Sequence, residues 1–504
     1  MLVEVPQPRT MAQMENTTRK TFHVRVALGV FAVSLVGVAV LAVERSQHGQ
    51  VRAHIPSTHP SETTRAAPTE NWTAEMKREP WWDNAAEFDA MPEIWSAPTP
   101  VTPRVDGCYV TDTRTGIDAP PPIPNGVVPP STAPVLDKPV GTIERGRDCG
   151  RGSMRWRYRT GDVVSSSAAF HDGAAVIGSR DGVLYSLNLT DGEARWRNEG
   201  HSEIDVIPHI EEDVVYFGTG QGHLLAADVR TGETLWRLSD DGNIVFHSSP
   251  TTHRELVVSG GGGNRLRAWN KTTREKVWEY NPEMWVQSSV AIRGEVAYVG
   301  SDDGWLHAVD VRTGKLKWKF AAELPDPPNL QPGTTGDPVI TPSGHRSNVL
   351  STPRFYKNMV FITSIRGVVY GVNADSGEEV WRHLGERIVT DTTVSNDGVV
   401  YTHSDAAILR AYDARTGRVL WANKTGTNKN VWNGPYQTGS AAVIHGDELI
   451  IGGRDGDITS YNRLTGRYIW SFRTGLWTQS TPKIYGDVLV IGSNDGWVYA
   501  INLN

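Results

Sequence analysis

The sequence predicts an all-β protein: an eight-bladed β-propeller of four-stranded antiparallel blades, closed by the strand near Trp156 and preceded by an N-terminal transmembrane helix. Three observations carry this. A tryptophan-ended unit recurs with a period near 40 residues, the last unit stops one strand short, and an uncharged 18-residue run stands near the N-terminus.

The unit is plain in AAVIGSRDGVLYSLNLTDGEARW (174–196), VAYVGSDDGWLHAVDVRTGKLKW (296–318) and MVFITSIRGVVYGVNADSGEEVW (359–381). Each copy opens with an apolar strand. A glycine turn follows (Gly182, Gly304, Gly367), then a second strand, then a second turn at Gly192, Gly314 or Gly377. Such turns use glycine because tightly paired antiparallel strands need a positive φ at the corner. A short strand ending in Trp completes the copy. The closing tryptophans are Trp156, Trp196, Trp236, Trp278, Trp318, Trp381, Trp421 and Trp470. A further strand with a small polar lead-in precedes each copy, as at Ser248-Ser249-Pro250 and Ser480-Thr481-Pro482. Four strands per unit at this period describe a propeller blade.

Complete units run over 163–470, and the final unit supplies strands only over 481–502. The missing outer strand is found in MRWRYRTG (154–161), which carries a Trp in the right context without the three strands that should precede it. Pairing the two ends closes the ring and leaves only short, protected edges.

Composition narrows the function. A chain of 504 residues is too long for one ordinary core unless it is built from repeats. The net charge of −7 offers no basic footprint, so nucleic acid is not expected as a partner. Two cysteines, Cys108 and Cys149, exclude a multi-cysteine zinc site. The run 26–43 follows Arg19, Lys20 and Arg25 and just suffices to span a bilayer. Its basic flank places residues 1–25 in the cytoplasm and the rest outside. The long leader favours a retained signal-anchor, giving a single-pass protein whose propeller is periplasmic or extracellular; cleavage after Ala42 is the alternative. Export makes a Cys108–Cys149 disulfide plausible, against two unpaired thiols. Sixteen of the 30 prolines lie within 51–150, so residues 44–153 read as an extended spacer and 154–504 as the propeller.

Over 154–504 the repeats resemble the tryptophan-docking repeat of quinoprotein-type, PQQ-like propellers. The resemblance implies that the eight tryptophans pack on glycine-containing backbone of the adjacent blade, a structural role. Quinone-dependent alcohol dehydrogenases of that family hold their cofactor under adjacent cysteines, and haem-bearing members carry Cys-x-x-Cys-His. This propeller has neither motif. It is closer to the BamB-like propellers of outer-membrane barrel assembly, which use the repeat as an interaction surface. That likeness implies no cofactor, PQQ included, and no metal or catalytic residue. It further implies envelope or secreted proteins as partners and a membrane-anchored, non-enzymatic scaffold. A quinone-dependent dehydrogenase with an atypical site, and a glycan or small-molecule sensor, are the alternatives.

Strand alternation puts the connections between blades on one face, together with the Asp-Gly turns. Two of these connections are long, 321–348 and 423–439. Long loops are commonly functional. Phe246, Trp285, Trp432, Tyr436 and Trp477 stand just before inner strands on the same face and are the candidate partner-binding residues. They are expected to form one patch at the channel mouth. The serines and threonines at the strand lead-ins are read as solvent-lining or turn-capping. His201, His209, His247 and His253 lack metal-ligand spacing.

Overall fold

The computed structural model describes residues 138–147, 149–239, 248–261, 264–322, 347–385, 391–404, 408–425, 440–453 and 456–504. The chain divides into Met1–Glu79 and Pro80–Asn504, and all described residues belong to the second unit. The expected anchor (26–43), Cys108, Phe246, Trp432 and Tyr436 lie outside the described residues.

Eight antiparallel sheets are present, each with strands A to D from its inner edge outward. In blade I these are Ala169–His171, Ala174–Gly178, Val183–Asn188 and Ala194–Glu199. Blades II to VII follow in chain order over 209–239, 251–280, 291–321, 354–384, 393–424 and 443–473. Blade VIII takes its A to C strands from Lys483–Tyr485, Val488–Gly492 and Trp497–Asn502, and its D strand from Met154–Arg159. Trp156 pairs with Ala500 across that joint.

Period-2 alternation explains why the sheets stack into a ring. In strand B of blade I, Ala175 and Ile177 pack toward blade VIII, while Val176 packs toward blade II. Blade III repeats the division, with Val257 facing blade II and Leu256 and Val258 facing blade IV. Both sheet faces are therefore apolar, and eight inter-blade clusters make up the core.

The tryptophans join neighbouring blades. At each one the C–D register shifts by a bulge, two residues of strand D facing one of strand C. A bulge twists its strand locally and re-aims a side chain. The residue opposite the indole is small in every blade: Ser186, Ala226, Ala268, Ala308, Gly371, Ala411, Ser460 and Ala500. Trp156, Trp196, Trp278, Trp381 and Trp421 each donate Nε1–H to a carbonyl of the following blade, at Leu189, Val229, Val311, Ala414 and Arg463. Their rings, and that of Trp318, lie over that blade's C–D turn glycine. Trp236 faces a turn in which Arg274, not glycine, has positive φ.

The folded ring reaches upstream of residue 154. Ile143–Arg145 adds a fifth strand outside Met154–Arg159. Residues 150–153 form the C–D turn of blade VIII, and Gly152 (φ +80°) lies under the ring of Trp470. That seam is built differently from the others. Trp470 Nε1 donates to the buried Glu448 at 2.8 Å, as does Ser460 Oγ at 2.6 Å. Glu448 in turn pairs with Arg151 at 2.8 Å. Cys149, beside this turn, is disulfide-bonded.

In the serine lead-ins one hydroxyl is buried and serves the backbone, while neighbours such as Ser249, Ser289 and Thr481 stay partly exposed. Ser166, Ser288, Ser351 and Ser440 accept the N–H of the residue 12 positions on, at the end of strand B. One residue later a belt links blades: Ile207 N–H donates to Ser249 Oγ, Ser249 N–H to Ser289 Oγ, Ala441 N–H to Thr481 Oγ1 and Thr481 N–H to Ser167 Oγ.

Three expectations follow. A Cβ at Gly377 would stand 2.6 Å from Trp318 Cε3 at φ +76°, whereas Gly446 (φ +57°) has nothing within 4 Å. In denaturant melts Gly377→Ala should cost about 3 kcal/mol and Gly446→Ala about 1. Equal losses would mean that the ring-on-glycine contact does not matter. Second, Glu448→Ala strips the buried Trp470 and Ser460 donors of their acceptor and should cost about 3 kcal/mol. A chain beginning at residue 163 should aggregate through the exposed edge of Trp497–Asn502, and one beginning at 138 should melt cooperatively.

Candidate interaction face

The face of interest carries the D-to-A connections and the B–C turns, and backbone bonds hold these two sets together. Asp302 N–H donates to Trp285 O at 2.9 Å and Asn494 N–H to Trp477 O at 3.0 Å. Arg180 N–H makes the same bond to Val163 O in blade I. Trp285 and Trp477 thus occupy equivalent positions before blades IV and VIII. Trp285 is 51% exposed and Trp477 is half-buried. The ring order puts four blade steps between them, so they face one another across the mouth and do not abut. Phe246, Trp432 and Tyr436, the other members of the expected patch, lie outside the described residues. The two long connections are described only at their ends.

Carboxylates stitch this face. Asp181 Oδ2 accepts the Gly161 N–H and the Tyr185 hydroxyl, both at 2.6 Å. Asp495 repeats this with Gly475 N–H and Tyr499 at 2.7 and 2.6 Å. Burial, reinforced by the neighbouring carboxylate, holds both phenols well above their usual range. Each Asp ties a B–C turn to the exit of the preceding blade. In blade IV the phenol is replaced by His307, whose Nε2 lies 3.0 Å from Asp303 Oδ2 and whose Nδ1 lies 2.8 Å from the Tyr280 hydroxyl. One tautomer satisfies both contacts. Burial is the largest influence and would raise the Asp303 carboxyl, but His307 and the Trp305 and Glu283 N–H groups together outweigh it and hold the group low.

Asp302 beside it behaves oppositely. Burial pushes its carboxyl up to about 6, against the lowering hydrogen bonds of Gln287 and Asn348, and Asp303 adds to the rise. Gln287 Nε2 donates to Oδ2 at 2.6 Å. This group clamps the lead-ins of blades IV and V beneath Trp285. Sequence reading passed over it, although the doubled Asp302-Asp303 in one turn was a visible signal.

The remaining candidates are structural. His253 Nε2 lies 3.3 Å from Glu295, and His209 Nε2 lies 2.8 Å from Thr252 Oγ1. Among the described residues no group of three His, Cys, Asp or Glu could hold a metal ion.

The Asp302 shift gives a signed expectation. Its folded-state pKa exceeds the unfolded value, so the folded chain binds the extra proton between the two, and stability falls as pH rises through that window. As pH drops from about 7 to about 4, the parent chain should gain about 2 kcal/mol relative to Asp302→Asn in urea unfolding. A pH-independent difference would show that Asp302 is not the group that titrates.

With this geometry in place, likeness to known proteins becomes informative. The profile of the family described as outer membrane protein assembly factor BamB matches residues 141–253, 245–347 and 346–504. BamB of Nitrosomonas eutropha is 25% identical over 303 residues, covering 59% of this chain and 68% of that protein. Tetrathionate hydrolase of Acidithiobacillus ferrooxidans is 22% identical over 310 residues, 53% of this chain and 57% of its own. BamB of Shewanella oneidensis is 22% identical over 260 residues, 51% and 60% respectively. The chain therefore spans only 57–68% of the length of these relatives. Among solved structures, BamB from Moraxella catarrhalis superposes with a TM-score of 0.56 at 18% identity, over 69% of this chain and 99% of that one. Quinohemoprotein alcohol dehydrogenase from Comamonas testosteroni gives 0.56 at 13%, over 71% and 78%. At such identities these structures speak to fold alone, and the dehydrogenase shares it. The family match covers well over half of the sequence, and on it the chain belongs to the family of the outer membrane protein assembly factor BamB.

Proposed function

We propose that this protein is a non-enzymatic scaffold in envelope or outer-membrane protein assembly. Residues 26–43 anchor it, the proline-rich stretch spaces the propeller from the membrane, and the propeller lies outside the cytoplasm. Its partner is another envelope or secreted protein, bound on the face of the inter-blade connections, and the role needs no cofactor. The observation that carries the reading is Trp285, a large exposed aromatic held in place by a rigid turn, in a chain of this family. Rigid, exposed tryptophans are what binding hot spots are built from. Trp477 repeats the arrangement across the mouth.

Photo-crosslinking tests this. A photoreactive residue at position 285 or 477 of the full chain should capture envelope proteins in cells. One at Leu464, 55% exposed on the opposite face, should not. Trp285→Ala with Trp477→Ala should weaken partner binding by about 2 kcal/mol with little loss of folding. By contrast, Trp318→Ala should destabilise the ring by about 3–5 kcal/mol. Capture at Leu464 alone would put the partner on the wrong face.

A further inference from the structure

The first residue of each inner strand lies two positions below the hydroxyl belt, at one level of the central lumen. The eight residues at this level are all described. Arg354 of blade V and Lys483 of blade VIII are the only two at this level that carry full charge. Ala169 stands four blades from Arg354, and Ala291 stands four blades from Lys483. Four steps in a ring of eight is directly across, so each cation faces the smallest side chain at its level. Three of the remaining residues are threonine or valine. The last, His209, is occupied by Thr252 and held below its usual pKa by burial.

The two cations act on one another. Lys483 is held below the usual lysine range first by burial and then by Arg354, with Asp391 opposing. The strands bearing Lys483 and Arg354 are three blades apart, so the two charges can meet only across the lumen. Both side chains keep part of their surface exposed. Neither has a hydrogen bond or ion pair within distance among the described residues. Asp391, one level higher, is the acid that acts on Lys483 among the described residues, and its Oδ1 accepts the Thr352 N–H at 2.9 Å. Two cations against one engaged carboxylate leave an excess of positive charge in a walled space where screening is weak.

The geometry points to a binding site in the lumen for a small oxyanion, a carboxylate or a phosphate, held between Arg354 and Lys483. The fork of Arg354 matches either group, and Lys483 supplies a point charge from the other side. The alanines opposite leave room for the ligand. A small molecule is the fitting occupant because the level is enclosed by eight strands and the belt above them. This site is independent of the partner face and of the scaffold role.

Calorimetry on the detergent-solubilised full chain, with succinate and inorganic phosphate as separate probes, tests the proposal. At least one probe should bind saturably. Arg354→Met and Lys483→Met should each weaken that binding by about tenfold, the size of one charge-assisted contact. Arg293→Met, which removes a cation paired with Asp375 two residues below the site, should leave it unchanged. A second measurement needs no variant. An anion beside the amine raises its pKa, so the bound probe should slow acetylation of Lys483 by about threefold or more, read by peptide mass spectrometry. No saturable binding by either probe, equal binding in parent and variants, or unprotected Lys483 at saturating probe would overturn the site.

Discussion

One contact governs this molecule: the indole of a strand D tryptophan lying over the turn glycine of the next blade. A four-stranded sheet with two apolar faces cannot exist alone in water, and each blade must be covered on both sides. The bulge at each Trp turns the ring out of its own sheet. The small residue across from it clears the space, and the positive-φ glycine lets the next backbone come close. The Nε1–H bond to a carbonyl fixes the angle. The belt of lead-in hydroxyls does the same at the inner edge, so neighbouring blades are pinned at two radii.

A ring made of identical joints has no natural place to begin or end, and the chain resolves this at one seam. Between blades VII and VIII the indole meets the carboxylate of Glu448 in place of a backbone carbonyl, and Arg151 balances that charge. Removing the carboxylate would leave the buried Trp470 and Ser460 donors without their acceptor, whereas Arg151 is half exposed. Asn502 bonded to Ser153, and Arg155 bonded to both Asn502 and Asp487, tie the last strand to the first. The non-local contacts that close the molecule thus add polar, directional bonds to the apolar packing of Trp156 and Tyr158 with Val498 and Ala500.

Most of the fold was legible because period, turn chemistry and alternation agree in every unit. The eight blades, the closing strand at Trp156 and the face shared by the connections could all be read directly. The start of the ring was missed, although the spacing from Gly152 to Trp156 equals that from Gly192 to Trp196. The glycine there sits among prolines and charges, and its repeat context lies at the far end of the chain. The burial of one hydroxyl in the serine lead-ins was missed for another reason. A hydroxyl serving a backbone N–H 12 residues away looks like any surface serine until the strands are placed. For the partner face, aromatic composition found Trp285 and Trp477 but could not order them around the ring. Blade count alone sets them on opposite sides, and that count needs the closed topology.

The fifth strand, Ile143–Arg145, has a consequence for how the propeller can be tethered. It runs antiparallel to Met154–Arg159, so its start lies beside Tyr158 and Arg159 at the edge of the face that carries the D-to-A connections, with Gly141 N–H bonded to Arg159 O. Polypeptide leading into the ring therefore arrives on the side that presents Trp285 and Trp477, at the rim of blade VIII. Any leash attached there shares its half-space with whatever docks on that face. A docked protein would be held at a high local concentration near the leash, and a leash pulled taut would crowd the blade VIII side of the mouth first.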